Sequence, residues 1–228
     1  MIKIDKKRLL TEYIPLFTAF VSIVVCSIVF KQDLIKAIPV CISLVIGLLS
    51  SRANKICYII GACNCMIYII GYFMEKLYGS ALQTLFSCVL QITTFFYWTK
   101  NSYKHATMFR KMRWWGRVLL VVSLIVGTVV CALVLQSLNA SEVWLDSFLL
   151  VSGVLGPILT LFAFLEYLPL ALLCQLMTDV MWFKIMISGS IANITYLILA
   201  VYNTYITIRL TKTWLRLYKE QQELKNNK

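Results

Sequence analysis

Apolar residues in this chain come in long unbroken runs, with no strict alternation and no narrow amphipathic stripe. Eight runs can be marked, at 13–30, 34–50, 56–74, 78–98, 117–136, 143–165, 168–187 and 189–210. Each holds about 20 residues, the length a helix needs to cross ~30 Å of hydrocarbon. The pattern predicts an all-α polytopic membrane protein, whose helices satisfy their own backbone N–H and C=O groups. The breaks between runs are mostly short, as at 31–33, Ser50 to Lys55, Glu75-Lys76-Leu77, Ser137 to Ser141 and Glu166 to Pro169. Only 99–116 is a long connection; it is basic and carries the sole histidine, His105, in a segment expected to be solvated. Gly153, Gly156 and Pro157 fall in the sixth run, where proline should kink the helix and glycine admit a close neighbour. The last run leads into a charged tail, expected to be helical and then frayed.

Composition agrees. Of the 228 residues, 60% are hydrophobic and 14% charged, and the mean hydropathy is +0.80. A soluble domain of this length has too little interior for so much apolar surface. The net charge of +12 is a matter of topology. With a cytoplasmic N-terminus, the inner segments collect every Lys and Arg except Lys31, Lys36, Lys76 and Lys184. That is the positive-inside distribution, with both termini cytoplasmic, and it excludes nucleic acid as the partner. The first run lacks a small-residue cleavage site and is expected to stay as a helix. The eight cysteines lie mostly inside apolar runs and read as small apolar residues, not a disulfide framework. Cys63 and Cys65 would project about 200° apart on a helix, a poor chelate. No phosphate-binding fingerprint, nucleophile–base pair or metal cluster stands out, so neither catalysis nor a cofactor is expected.

Polar positions inside the runs are where chemistry would lie, because an unpartnered amide in hydrocarbon costs several kcal/mol. Asn64 and Tyr68 share a face of the third run, above Gly61. Gln83, Gln91 and Trp98 lie along the fourth, with Phe95 between the last two. Gln175, Asp179 and Trp182 form a stripe on the seventh, and Asn193, Tyr196 and Asn203 mark the eighth. Asp179 is expected ~12 Å below the outer end, at 1.5 Å per residue. An acid at that depth either serves a ligand or locks helices together by a hydrogen bond. The amides and aromatics are open to the same two readings. Amides beside aromatic faces suit a flat, hydrogen-bonding ring better than an inorganic ion.

The triplets 34–98 and 143–214 read as an internal repeat. Each has a polar residue in its middle run, Asn64 or Asp179, and a tryptophan 34 or 35 residues later, Trp98 or Trp214. Both triplets start on the outer side, so they would be parallel repeats. The chain then divides into a basic N-terminus with an extra helix (1–33), a first repeat (34–98), a basic loop with a linker helix (99–142), a second repeat (143–214) and a charged tail (215–228): a 3+1+3 plan behind one extra helix.

On the first triplet, Asn64-x3-Tyr68, Leu77-Tyr78-Gly79, Phe86, Gln91 and Trp98 resemble the bacterial PnuC family of nicotinamide riboside transporters. In the second, Trp144-Leu145-Asp146 and Asp179 resemble the family's positions. The resemblance implies parallel three-helix repeats similar to the SWEET sugar transporters, a homotrimer in the bacterial cytoplasmic membrane, and facilitated diffusion with cytosolic phosphorylation trapping the substrate. It departs where the family has a Trp-x-x-Trp pair, here Leu168-Pro169-Leu170-Ala171, and near Pro157, where a glutamine is usual. Relatives carrying thiamine, riboflavin or deoxynucleosides therefore stay open, as does a membrane scaffold whose basic loop recruits a partner or anionic lipid.

Overall fold

The computed structural model describes residues 9–30, 34–74, 78–103, 106–137, 143–187 and 194–226. The turns at 31–33, 75–77 and 138–142, His105, and Asn193 lie outside the described residues. A π-turn at Leu9–Tyr13 leads into α1 (Ile14–Val29), whose Pro15 sits in the first turn, where its fixed φ suits a helix start. The other helices are α2 (Leu34–Ser51), α3 (Ile56–Met74), α4 (Tyr78–Lys100), α5 (Trp114–Ser137), α6 (Val143–Leu161), α7 (Tyr167–Ile187) and α8 (Ile194–Asn226). Eight α-helices thus stand, among the described residues, where eight runs were expected. Among the described residues, Leu10–Val29, α5 and α6 are long and apolar enough to cross a membrane by composition alone. Trp114 and Trp115 at one end of α5, and Trp144 at the start of α6, are exposed, as ring systems at a bilayer interface are.

The helices pack in a definite order. α2 lies against α3 and α8, α4 against α3 and α6, and α7 against α6 and α8. α1 covers α2 and α8, and α5 rests on α6, burying only Ala132. Lipid is as apolar as leucine, so close packing and interhelical hydrogen bonds must hold such a bundle. Tyr202 accordingly donates to the Leu44 carbonyl at 3.2 Å, tying α8 to α2. Glu12 sits between Arg52 and Arg209, the latter at 2.6 Å, and ties the N-terminal turn to α2 and α8.

Two turns, between α2 and α3 and between α6 and α7, repeat one hydrogen-bond pattern at an interval of 110 residues. Asn54 donates to Leu49 and Ala53 to Ser50; Phe164 donates to Leu159 and Ala163 to Thr160. This is the helix-ending motif that usually has glycine at its left-handed position. Here that position is alanine both times, Ala53 with φ 53° and Ala163 with φ 54°. Both alanines are buried in one cluster with Trp98, Phe109, Leu168, Leu210 and Trp214.

Two expectations change at this basic end of the bundle. The sixth run, expected to reach residue 165, ends as a helix at Leu161, because 162–166 form the turn just described. The segment after α4 is not simply solvated. It forms a small hairpin, β1 (Ser102–Tyr103) with β2 (Ala106–Thr107), and buries Ala106, Thr107 and Phe109. Arg110 then exchanges main-chain hydrogen bonds with Ala163 and Leu165, while Glu166 accepts from Arg117 at 2.8 Å. As expected, α8 runs on as a helix through the charged tail, to Asn226, where Trp214, Leu217 and Gln221 bury a stripe of it against that hairpin. The Gln221 amide donates to the Thr107 carbonyl and accepts from the Phe109 N–H, both at 2.9 Å.

Candidate functional site

Above the basic end, two cavities lie on either side of α6. The smaller, about 260 Å³, is walled by Ser50, Cys57, Tyr58, Gln91 and Thr94, with Pro157, Thr160 and Tyr167 on the α6 side. The larger, about 390 Å³, is walled by Ser152, Gly156, Cys174, Gln175, Thr178 and Thr207, again with Pro157 and Tyr167. Pro157 and Tyr167 are therefore the partition. Each cavity has one primary amide, several hydroxyls and an aromatic face, which suits a flat polar ligand.

The residues named from the sequence divide between these halves. On α3, Asn64 is buried and donates its amide N–H groups to the Pro39 carbonyl and the Ser43 hydroxyl, both at 3.1 Å. Its Oδ1 is buried without a partner among the described residues, an uncommon state for a buried acceptor. Tyr68 is half-buried on the same helix. Gln91 on α4 lines the smaller cavity and donates to the Cys65 sulfur at 3.2 Å. The Gln83 side chain lies outside the described residues.

On the other side, Gln175 lines the larger cavity. It donates to the Ala200 carbonyl at 3.1 Å and more distantly to Asp179. Asp179 also accepts from the Thr204 hydroxyl at 2.5 Å, so the carboxylate bridges α7 to α8. Trp182 stacks on Tyr196 with centroids 4.7 Å apart and an interplanar angle of 13°. Asn203 faces α2 near Gly47, while its neighbour Thr204 meets the acid.

Trp98 occupies a different layer. It is 1% exposed, donates its indole N–H to the Thr160 carbonyl at 3.0 Å, and packs edge-on to Tyr58 at 4.9 Å. Thr160 and Tyr58 line the smaller cavity, so Trp98 supports its floor from beneath. Trp214 lies 5.6 Å from Trp98 in the same layer.

Several lining groups were not singled out from the sequence: Tyr58, Thr94, Ser152, Thr160, Tyr167, Thr178 and Thr207. Serine and threonine are common in membrane helices, where their hydroxyls bond back to the previous turn, as Thr94 does to Leu90 at 2.6 Å. Nothing in the sequence separates those that also face a cavity. Among the described residues no group of three or more His, Cys, Asp or Glu is placed to hold a metal ion.

Residues 33–214 match the family described as "Nicotinamide mononucleotide transporter". Among solved structures, one described as the crystal structure of the vitamin B3 transporter PnuC superposes with a TM-score of 0.74, at 17% identity, over 92% of each chain. No curated protein matches the sequence.

Proposed function

This chain belongs to the nicotinamide mononucleotide transporter family, and from that premise we propose that it carries nicotinamide riboside across the bacterial cytoplasmic membrane by facilitated diffusion. Phosphorylation of the riboside in the cytosol would trap it, leaving this chain no chemical step of its own. The observation that carries the reading is the pair of amide-lined cavities sharing Tyr167 and Pro157. A nicotinamide ring offers carboxamide hydrogen bonds at its edge and a cationic face for an aromatic ring, and its ribose meets hydroxyls. Asn64, Tyr68, Gln83, Gln91, Gln175, Asp179, Trp182, Asn193 and Tyr196 are the ligand-binding set of this reading, with Trp98 beneath it.

Helix pairing supports the 3+1+3 plan. A two-fold axis along the membrane normal would exchange α2 with α6, α3 with α7 and α4 with α8; it maps the α2–α8 contact onto α6–α4, and both occur. The segments 1–33, 34–98, 99–142, 143–214 and 215–228 then act as extra helix, repeat, loop and linker helix, repeat, and tail. The lipid-facing surface of α5 leaves room for neighbouring subunits of a homotrimer. Reporter fusions should read cytoplasmic at residue 228 and external near residue 139.

A specific observation favours a second reading. Ala171 replaces the second tryptophan of the pair that the resemblance implies, and it lines the larger cavity. A tryptophan there would narrow that space, so a bulkier ring such as thiamine or riboflavin fits the larger cavity better. A melting panel decides between them. The purified chain is heated with nicotinamide riboside, thiamine, riboflavin and deoxynucleosides, and the ligand that binds the folded state raises the melting temperature by mass action. A shift with the riboside alone supports the first reading, one with thiamine or riboflavin the second. No shift with any of them favours the membrane scaffold.

A further inference from the structure

The smaller cavity contains an amide whose orientation is set by a neighbour that the sequence would pass over. A Cβ added to Gly61 would lie 1.7 Å from the Gln91 Oε1 and 2.9 Å from its Cδ. At the other glycines the same construction meets nothing as close: 3.0 Å at Gly116 and Gly127, 3.4 Å at Gly47 and 3.6 Å at Gly156. The carbonyl end of Gln91 therefore rests on the bare backbone of α3, where glycine alone leaves room. Four residues along that helix face, Cys65 accepts the Gln91 N–H at 3.2 Å. The thiol is buried in a small cluster with Ala62 and Cys88. α3 thus offers a notch and a sulfur at the spacing of the two ends of a primary amide.

We propose that Gly61 and Cys65 are positioning residues: they fix the Gln91 amide so that its remaining N–H faces the cavity and reads a carbonyl oxygen on the ligand. The inference rests on the transport reading above, which gives Gln91 a ligand to meet. A primary amide has two N–H donors and one carbonyl. With the carbonyl on Gly61 and one N–H on Cys65, a single donor is left to present. A free glutamine samples many rotamers, and ordering it at the moment of binding opposes affinity. The socket removes that cost beforehand and also discriminates, since an amide held this way cannot turn to offer its oxygen.

The test is a double-mutant cycle on the purified full-length chain with two readouts. The first is ligand-free melting. Gly61→Ala should lower the melting temperature by about 5 °C when Gln91 is present and leave it nearly unchanged in Gln91→Ala, where the clash has no partner. The second is the affinity ratio between nicotinamide riboside and the N-ribosylpyridinium ion that lacks the carboxamide. The parent chain should favour the riboside about tenfold, the worth of one well-placed hydrogen bond. Gly61→Ala and Gln91→Ala should each reduce that ratio to within about twofold of unity, and the double variant should add no further loss. Cys65→Val, similar in volume but without the acceptor, should lower the ratio in the same direction and serves if Gly61→Ala does not fold. Additive melting losses, or a full tenfold ratio in Gly61→Ala or Cys65→Val, would overturn the proposal. If the parent chain binds neither compound, the riboside reading fails separately, and the melting cycle alone decides the socket.

Discussion

The α2–α3 and α6–α7 turns agree in backbone, while the side chains above them differ. At the basic end, the α2–α3 and α6–α7 turns make the same hydrogen bonds 110 residues apart, down to a left-handed alanine in each. Higher up, the likeness stops. The first triplet seats Gln91 on Gly61 and Cys65 at the edge of its cavity. The second ties Gln175 and Asp179 into α8 through Ala200 and Thr204. On the transport reading proposed above, a ligand meets two chemically distinct sides, one with an amide alone and one with an amide and a carboxylate nearby. The conserved part is what holds the helices at their angle; the diverged part is what a ligand would meet.

If the turns are truly equivalent, they should fail equally. Ala53→Val and Ala163→Val each place a β-branched residue at φ near 54° in a buried site. Each should cost about 3 kcal/mol or more, from backbone strain and overpacking together. Ala→Gly at either position should instead be neutral or slightly stabilising, because glycine adopts that conformation freely. Thermal melting of the four variants checks this, and a large difference between the two sites would end the equivalence.

A smaller effect should separate the two linings. Asp179→Asn keeps the size of the side chain and a carbonyl for the Thr204 hydroxyl, but removes the charge. Binding of a cationic ligand should fall about tenfold and of a neutral analogue only about twofold, since only the cation gains from a nearby carboxylate. Equal losses measured by calorimetry, with an unchanged melting temperature, would assign Asp179 to helix packing.

The effect read as the smallest fold-change concerns the lock at the basic end, between the tail and the hairpin segment. Gln221→Leu leaves the Phe109 N–H and the Thr107 carbonyl without their partner, at a cost of about 1–3 kcal/mol. The hairpin segment should then loosen, and cleavage by trypsin at Arg110 to Arg113 should speed up several-fold. Unchanged cleavage would mean that the aromatic cluster alone holds the segment.

The helices were legible in the sequence because lipid demands long apolar runs, and the ends of α2, α3 and α7 lie within one residue of those runs. The end of α6 was not, since it depends on a contact remote in sequence, Ala163 with Arg110; the helical tail of α8 was expected, but not its seat on Thr107 through Gln221. The proposed repeat rests in part on Trp98 and Trp214, which meet in one cluster. Its register was harder to read. Pairing Asn64 with Asp179 implies an offset of 115, whereas the turns set 110 and bring Asn64 opposite Cys174, more than one helical turn away. Polar stripes marked which helices matter, but not which side chains face a cavity and which bridge two helices. That choice lies in helix rotation, and Gly61 could be understood only once Gln91 was seen resting on it.

A passive carrier of the kind proposed has its site between unlike halves, with Asp179 held by hydrogen bonds and coupled to no ion. Flux in proteoliposomes tests it most directly. Vesicles loaded with unlabelled nicotinamide riboside and diluted into labelled riboside should show counterflow without any proton or sodium gradient, and imposing or dissipating either should leave the initial rate unchanged. Accumulation against the riboside gradient, abolished by a protonophore, would contradict the account and make Asp179 a proton site.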